Sequence, residues 1–209
     1  MRRIALPEDV AEALERFRRA RGRGWRKALL HLAVEEERKA LARLVWELRA
    51  TAASHGLTEE EVARRLEGGG CPGRRGRGRG GGGGPAGGGV WGVLDTTVSV
   101  AALLTQGVAA QVVDLWLAGR YTLLTAEVQL REPRRVLRDK FPELPRAKVG
   151  RLVNLLRRQA EVVARPRPPG LSPDPDDDLL LGIALVGRAD CKVKGLRILS
   201  VRSFLREVS

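Results

Sequence analysis

Apolar residues recur at helical spacing in the first third of the chain and in short unbroken runs beyond residue 90, so the two parts predict different elements. Arg2 to Leu6 alternates polar and apolar positions. Pro7, followed by Glu8 and Asp9, starts a helix through about Ala20 whose acidic first turn suits the helix dipole. Gly22 and Gly24 break it. A second helix from Trp25 sets Ala28, Leu29, Leu32, Ala33, Ala40, Leu41, Leu44, Val45 and Leu48 on one face. Gly56 ends it, and a short helix from Thr58 to Leu66 follows with Thr58 and Glu61 at capping-box spacing. Further on, Val90 to Leu94 is apolar enough for a strand covered on both faces, and Tyr121 to Thr125 reads as a second strand. A helix begins near Ala126, another covers Leu179 to Val186, Asp190 begins a further candidate strand, and Leu196-Arg197-Ile198 reads as the last strand.

Residues 68 to 89 separate the two patterns. Fourteen of the 22 are Gly, and Arg74, Arg75, Arg77 and Arg79 are the only charges, so the segment has nothing with which to build a core and reads as a disordered linker. It lacks the Lys-Ser/Thr pair and following helix of a phosphate-binding loop. The expected division is therefore 1–67, a small mainly helical segment; 68–89, a Gly/Arg-rich linker; and 90–209, an α/β domain with a parallel sheet.

Composition narrows the function classes. No apolar run approaches the ~18 residues of a membrane span and the N-terminus lacks an apolar signal core, so the expectation is a cytoplasmic protein with no membrane partner. Cys71 and Cys191 stand in unlike contexts, which suggests neither a disulfide framework nor a zinc site. The net charge of +13 points to a polyanionic partner, nucleic acid first, with an arginine-rich composition as the plain alternative.

Four acids carry the candidate chemistry. Asp95 follows the strand ending at Leu94, Glu132 lies in the helix after the second strand, Asp178 closes the run Asp174, Asp176, Asp177, Asp178 and opens an apolar helix, and Asp190 opens a strand. In an open α/β sheet these places converge outside the carboxyl ends of the strands. Carboxylates so gathered suit a divalent cation with hard oxygen ligands. The plain alternative makes Asp95 and the 174–178 cluster helix caps and dipole partners, and Glu132 a solvated helix residue.

Val93-Leu94-Asp95-Thr96-Thr97-Val98, Glu132 with Arg135-Val136-Leu137, Asp174 to Asp178 followed by Leu180 to Leu185, Ala189-Asp190 and Ile198-Leu199-Ser200 together resemble a PIN domain of the bacterial toxin type. The resemblance implies a three-layer αβα fold and metal-dependent cleavage of an RNA substrate, with Asp95, Glu132 and Asp178 catalytic. Asp190 would join these three in binding Mg²⁺ or Mn²⁺. The pattern departs after Asp190, where Cys191-Lys192-Val193-Lys194-Gly195 leaves the family's last acidic position without a counterpart. That departure supports the alternative of a catalytically degenerate module acting by nucleic-acid or partner binding.

Residues 2 to about 45 resemble a ribbon-helix-helix antitoxin. The resemblance implies a homo-oligomer bound to a DNA operator, with Arg3 and Ala5 toward bases and Arg26 and Lys27 toward phosphate. A helical hairpin that only packs on the rest of the chain is the alternative. Arg64 and Arg65, just before the linker, are expected to inhibit the acidic cleft in cis, because a 22-residue Gly-rich chain reaches ~25 Å. Translation across two neighbouring reading frames is a third account of the same architecture.

Overall fold

The computed structural model describes residues 7–67, 90–187 and 197–208. The alternating stretch at 2–6, the Gly-rich segment 68–89 and the candidate strand opened by Asp190 lie outside the described residues. The chain divides into two compact units, Met1–Ala40 and Leu41–Ser209.

The first unit contains α1 (Glu8–Arg21), a 3₁₀ turn (Gly22–Gly24) and the start of α2 (Trp25–Ser54). Glu8 and Asp9 occupy the first turn of α1 and Arg18, Arg19 and Arg21 the last, the polarity a helix dipole favours. Gly22 ends the helix at φ +55°, a left-handed conformation in which a side chain would clash. None of this unit's described residues is buried, and Leu29, Leu30, Leu32 and Val34 are all exposed.

The second unit begins inside α2. It continues through α3 (Glu59–Glu67), β1 (Trp91–Val93), α4 (Thr96–Leu104), α5 (Val108–Leu117), β2 (Thr122–Thr125), α6 (Glu127–Lys140), α7 (Arg146–Gln159), β3 (Glu161–Val162), α8 (Pro175–Gly187) and α9 (Val201–Val208). The compact units thus part at Ala40, whereas the sequence pattern suggested a segment ending at residue 67. The reason is burial: Leu41, Leu44, Val45, Leu48 and Ala52 of α2, with Leu57 and Val62, share one core with α4, α5, α6 and α7.

The three strands run parallel in the order β1-β2-β3, with Trp91 opposite Thr122 and Leu124 opposite Glu161. Successive strand residues face opposite sides, and β2 uses both: Leu123 packs on the large core, Leu124 on a second cluster with Ala126, Val163 and Ile183. Helix α8 packs on that second face, and the parallel sheet with its helices fits the expected α/β fold. Gly182 lets α8 approach, since a Cβ there would lie 2.6 Å from the Arg167 carbonyl oxygen. Strand β1 is half-buried rather than covered on both faces. The expected last strand is not formed by its described residues: 197–200 are irregular, and Ile198 is 82% exposed. No described strand lies beside them to supply the backbone partners a strand needs. No single described helix is long and apolar enough to cross a membrane, although α4 and α5, bent 87° apart, pass such a test as a pair.

Candidate active site

The parallel sheet sends each strand's following segment to the same edge, and the acids gather there. Asp95 immediately follows Leu94 at the end of β1 and caps α4: its carboxylate accepts the Thr97 amide at 3.2 Å and its carbonyl the Ser99 amide at 2.8 Å. The side chain is exposed. Glu132, on α6 after β2, accepts a 2.8 Å hydrogen bond from the hydroxyl of Thr96, the residue after Asp95. These two carboxylates, 37 positions apart in sequence, are thereby tied to one place.

Beneath them the backbone itself is pinned. Gln129, buried on α6, donates from Nε2 to the Leu94 carbonyl at 2.6 Å and accepts from the Thr125 hydroxyl at 2.9 Å. This bridge holds the ends of β1 and β2 to the helix that carries Glu132. Sequence reading passed over Gln129; its signal was a polar residue on the apolar face of α6.

Helix α8 brings the third group of acids. Asp174 acts as its cap, accepting the Asp176 amide on Oδ1 at 2.9 Å and the Asp178 amide on its carbonyl at 2.9 Å, and Pro175 follows in the first turn, where its missing N–H costs nothing. Asp177 and Asp178 then diverge. Burial opposes ionisation of Asp178, yet the Gly170 (2.8 Å), Ser172 (3.1 Å) and Leu171 (2.8 Å) amides together hold its carboxyl below the usual aspartate range. Gly170, at φ +72°, makes the turn that presents these amides. Asp178 is 6% exposed and ties the 170–172 loop to α8.

Asp177 is exposed and is pushed the other way. Partial burial raises its pKa, and the like charges of Asp174, Asp95 and Asp176 raise it further. Asp177 therefore shares a field with Asp95, which Asp178 does not show. A helix places successive residues about 100° apart, so Asp177 turns outward where Asp178 turns into the loop. The run showed that an acid would stand at the head of α8, but not which one.

The remaining expected residues sit as follows. Arg26 and Lys27 are exposed at the start of α2, with the Arg26 guanidinium 5.3 Å from the Trp25 ring centroid. Arg3, Asp190, Lys192 and Lys194 lie outside the described residues. Arg64 pairs with Glu61 on its own helix. Arg65 bonds Glu61 at 2.7 Å, the Lys140 carbonyl at 3.1 Å and Glu143 at 2.8 Å, against the Phe141 ring. Of the expected inhibitory pair, Arg65 is thus engaged at the C-terminal end of α6, because Glu143 and a helix-terminal carbonyl offer it partners there, while Arg64 is held by Glu61 on its own helix.

Among the described residues no three His, Cys, Asp or Glu side chains are gathered closely enough to hold a metal ion. The donor chemistry nevertheless fits a hard divalent cation: Asp95 and Asp177 repel each other across one edge, and Glu132 is hydrogen-bonded beside them.

Residues 92–193 match the family model of the PIN domain. No curated protein and no solved structure matches the chain. A PIN domain over these residues is supported, and with it a nuclease-like fold. The match ends at Val193, inside the stretch from Cys191 to Gly195 where the sequence pattern departs from the family's.

Proposed function

We propose that the chain is a divalent-metal-dependent endoribonuclease of the toxin–antitoxin type, whose toxin-like PIN domain is preceded by an antitoxin-like segment. One observation carries the enzymatic reading: Asp177, whose pKa is raised first by partial burial and then by the charges of Asp174, Asp95 and Asp176, lies in the field of Asp95, a residue 82 positions earlier. Like charges held together against their repulsion mark a functional site more often than a structural one.

Asp95 and Asp177 would hold Mg²⁺ or Mn²⁺, with Glu132 orienting water or completing the ligand shell. A bound cation supplies an activated water and offsets phosphate charge. Thr96 aims Glu132 through its hydroxyl hydrogen bond, and Gln129 holds the Leu94 carbonyl so that Asp95 emerges in one direction. Asp178, consumed by three amides, serves by shaping the loop rather than by binding the ion. The test uses the full chain with single-stranded RNA and Mg²⁺ or Mn²⁺, against EDTA. Asp95→Asn and Asp177→Asn should abolish cleavage.

The second reading, a degenerate module, is favoured by the lack of a three-acid metal cluster among the described residues. Intact RNA under every condition, with no heat of metal binding in calorimetry, would decide for it. The antitoxin-like part of the proposal rests on the exposed Arg26 and Lys27 and on a first unit none of whose described residues is buried. It predicts a homo-oligomer whose duplex-DNA affinity falls steeply with salt and with Arg3, Arg26 and Lys27 replaced by Ala. A monomer in sedimentation with no DNA shift at low salt would remove it.

A further inference from the structure

Helix α6 buries Gln129, Pro133, Val136 and Leu137, and on the opposite side exposes Arg131, Arg134, Arg135 and Arg138. Positions i, i+3, i+4 and i+7 share one face of a helix, so the four guanidinium groups form a single ridge spanning about 10 Å of helix axis. Elsewhere the chain neutralises such cations locally: Arg18 pairs with Glu15, Arg38 with Glu35, Lys39 with Glu36 and Arg64 with Glu61, all three positions apart. On α6 this does not happen. Glu127 pairs with Arg157 and Glu132 bonds Thr96, and none of the four arginines forms an ion pair with another described residue.

Glu132 lies between Arg131 and Arg135 in sequence and, three positions from Arg135, on the adjoining side of the helix. We infer that this ridge is the track for the sugar-phosphate backbone of single-stranded RNA, holding the strand beside the carboxylate edge. The ridge rests on the nuclease reading. Guanidinium groups bind phosphate through paired, charge-assisted hydrogen bonds, and four unneutralised arginines in line repel one another until a polyanion lies on them. A single strand suits a narrow ridge because its backbone can follow one helix, and because such contacts place the chain without reading its sequence.

The test measures binding, not cleavage, so that failure of the ridge and failure of the nuclease reading stay distinct. Full-length protein in EDTA is titrated against a fluorescent single-stranded RNA over a range of salt. The ridge variant carries Arg131→Gln, Arg134→Gln, Arg135→Gln and Arg138→Gln. The control loses the same charge at Arg18, Arg19, Arg38 and Lys39, also to Gln. Single strands release counterions with a log–log slope of about 0.7 per neutralised phosphate. The ridge variant should therefore lose about 1.4 of slope for two phosphates or about 2.8 for four, while the control keeps its slope. Replacing the same four arginines by Lys should restore most of it, which a purely structural role would not predict. Equal loss in both variants would reduce the ridge to net charge and overturn the inference. So would an unchanged slope, or a variant that loses duplex DNA or anionic vesicles while keeping RNA. Circular dichroism of the Gln variant separates misfolding from lost contacts.

Discussion

Arg49 and Asp177 are both charged groups on core helices, but their surroundings are opposite. Arg49 is 11% exposed and is met by the Ala102 carbonyl (2.8 Å), the Ala110 carbonyl (3.3 Å) and Asp114 (2.8 Å), which fasten α2 to α4 and α5. Around it Lys148 bonds Glu47, and the Lys140 ammonium caps the last carbonyls of α3 at Arg65 and Leu66. Asp177 instead faces Asp174, Asp95 and Asp176. The α2–α3 region satisfies each charge named above, while the sheet edge leaves like charges opposed. A fold tolerates the second because the first, with its shared core, supplies the stability.

Removing the stabilising region should have the largest effect. A chain of residues 90–209 lacks Leu41, Leu44, Val45, Leu48 and Val62, all in the shared core, and should show no cooperative melting transition, whereas residues 41–209 should melt as a unit. Equal thermal transitions for the two fragments would show that α2 and α3 are accessories. Within the intact chain, Leu48→Ala, at a fully buried position, should cost about 2–5 kcal/mol in urea unfolding. Leu32→Ala on the same helix, 48% exposed, should stay within about 0.5 kcal/mol. Arg49→Ala should fall between, at about 1.5–3 kcal/mol, the range for hydrogen bonds to a charged group.

Substitutions at the two neighbouring aspartates should have smaller effects. Asp178→Asn should lower the melting temperature near neutral pH, since the carboxylate accepts three amides. Its folded pKa is depressed, so its stabilisation is complete above the ordinary aspartate value of about 4 and fades as pH falls through the lowered one. The difference between wild type and Asp178→Asn should therefore shrink on acidification.

Asp177→Asn should have the smallest and opposite effect on stability. With its folded pKa raised, ionised Asp177 opposes folding, so the substitution should raise the melting temperature slightly above that pKa and be silent below the ordinary aspartate value. It should abolish RNA cleavage all the same. A destabilised Asp177→Asn with full activity would exchange the roles assigned to these two residues.

Much of this was legible in the chain because it is local. The breaks at Gly22 and Gly24, the Thr58 cap that accepts the Glu61 amide at 3.2 Å, strands at 91–93 and 122–125 and the helix after Ala126 follow from apolar runs, caps and glycines within a few residues of one another. The two-residue strand β3 was missed, since Glu161-Val162 is too short for any periodicity and is a strand only because β2 stands beside it.

The sequence by itself determined that acids would follow the strands and head α8, because chain direction in a parallel sheet sends those positions to one edge. Only the tertiary structure decided which acid faces which, as one helical step separates Asp177 in the field of Asp95 from Asp178 among the loop amides. It also decided where the apolar stripe of α2 becomes core. Leu29 and Leu32 have the same spacing and hydrophobicity as Leu41 and Leu44, but burial depends on what lies opposite, and Leu41 and Leu44 belong to the core shared with α4, α5, α6 and α7.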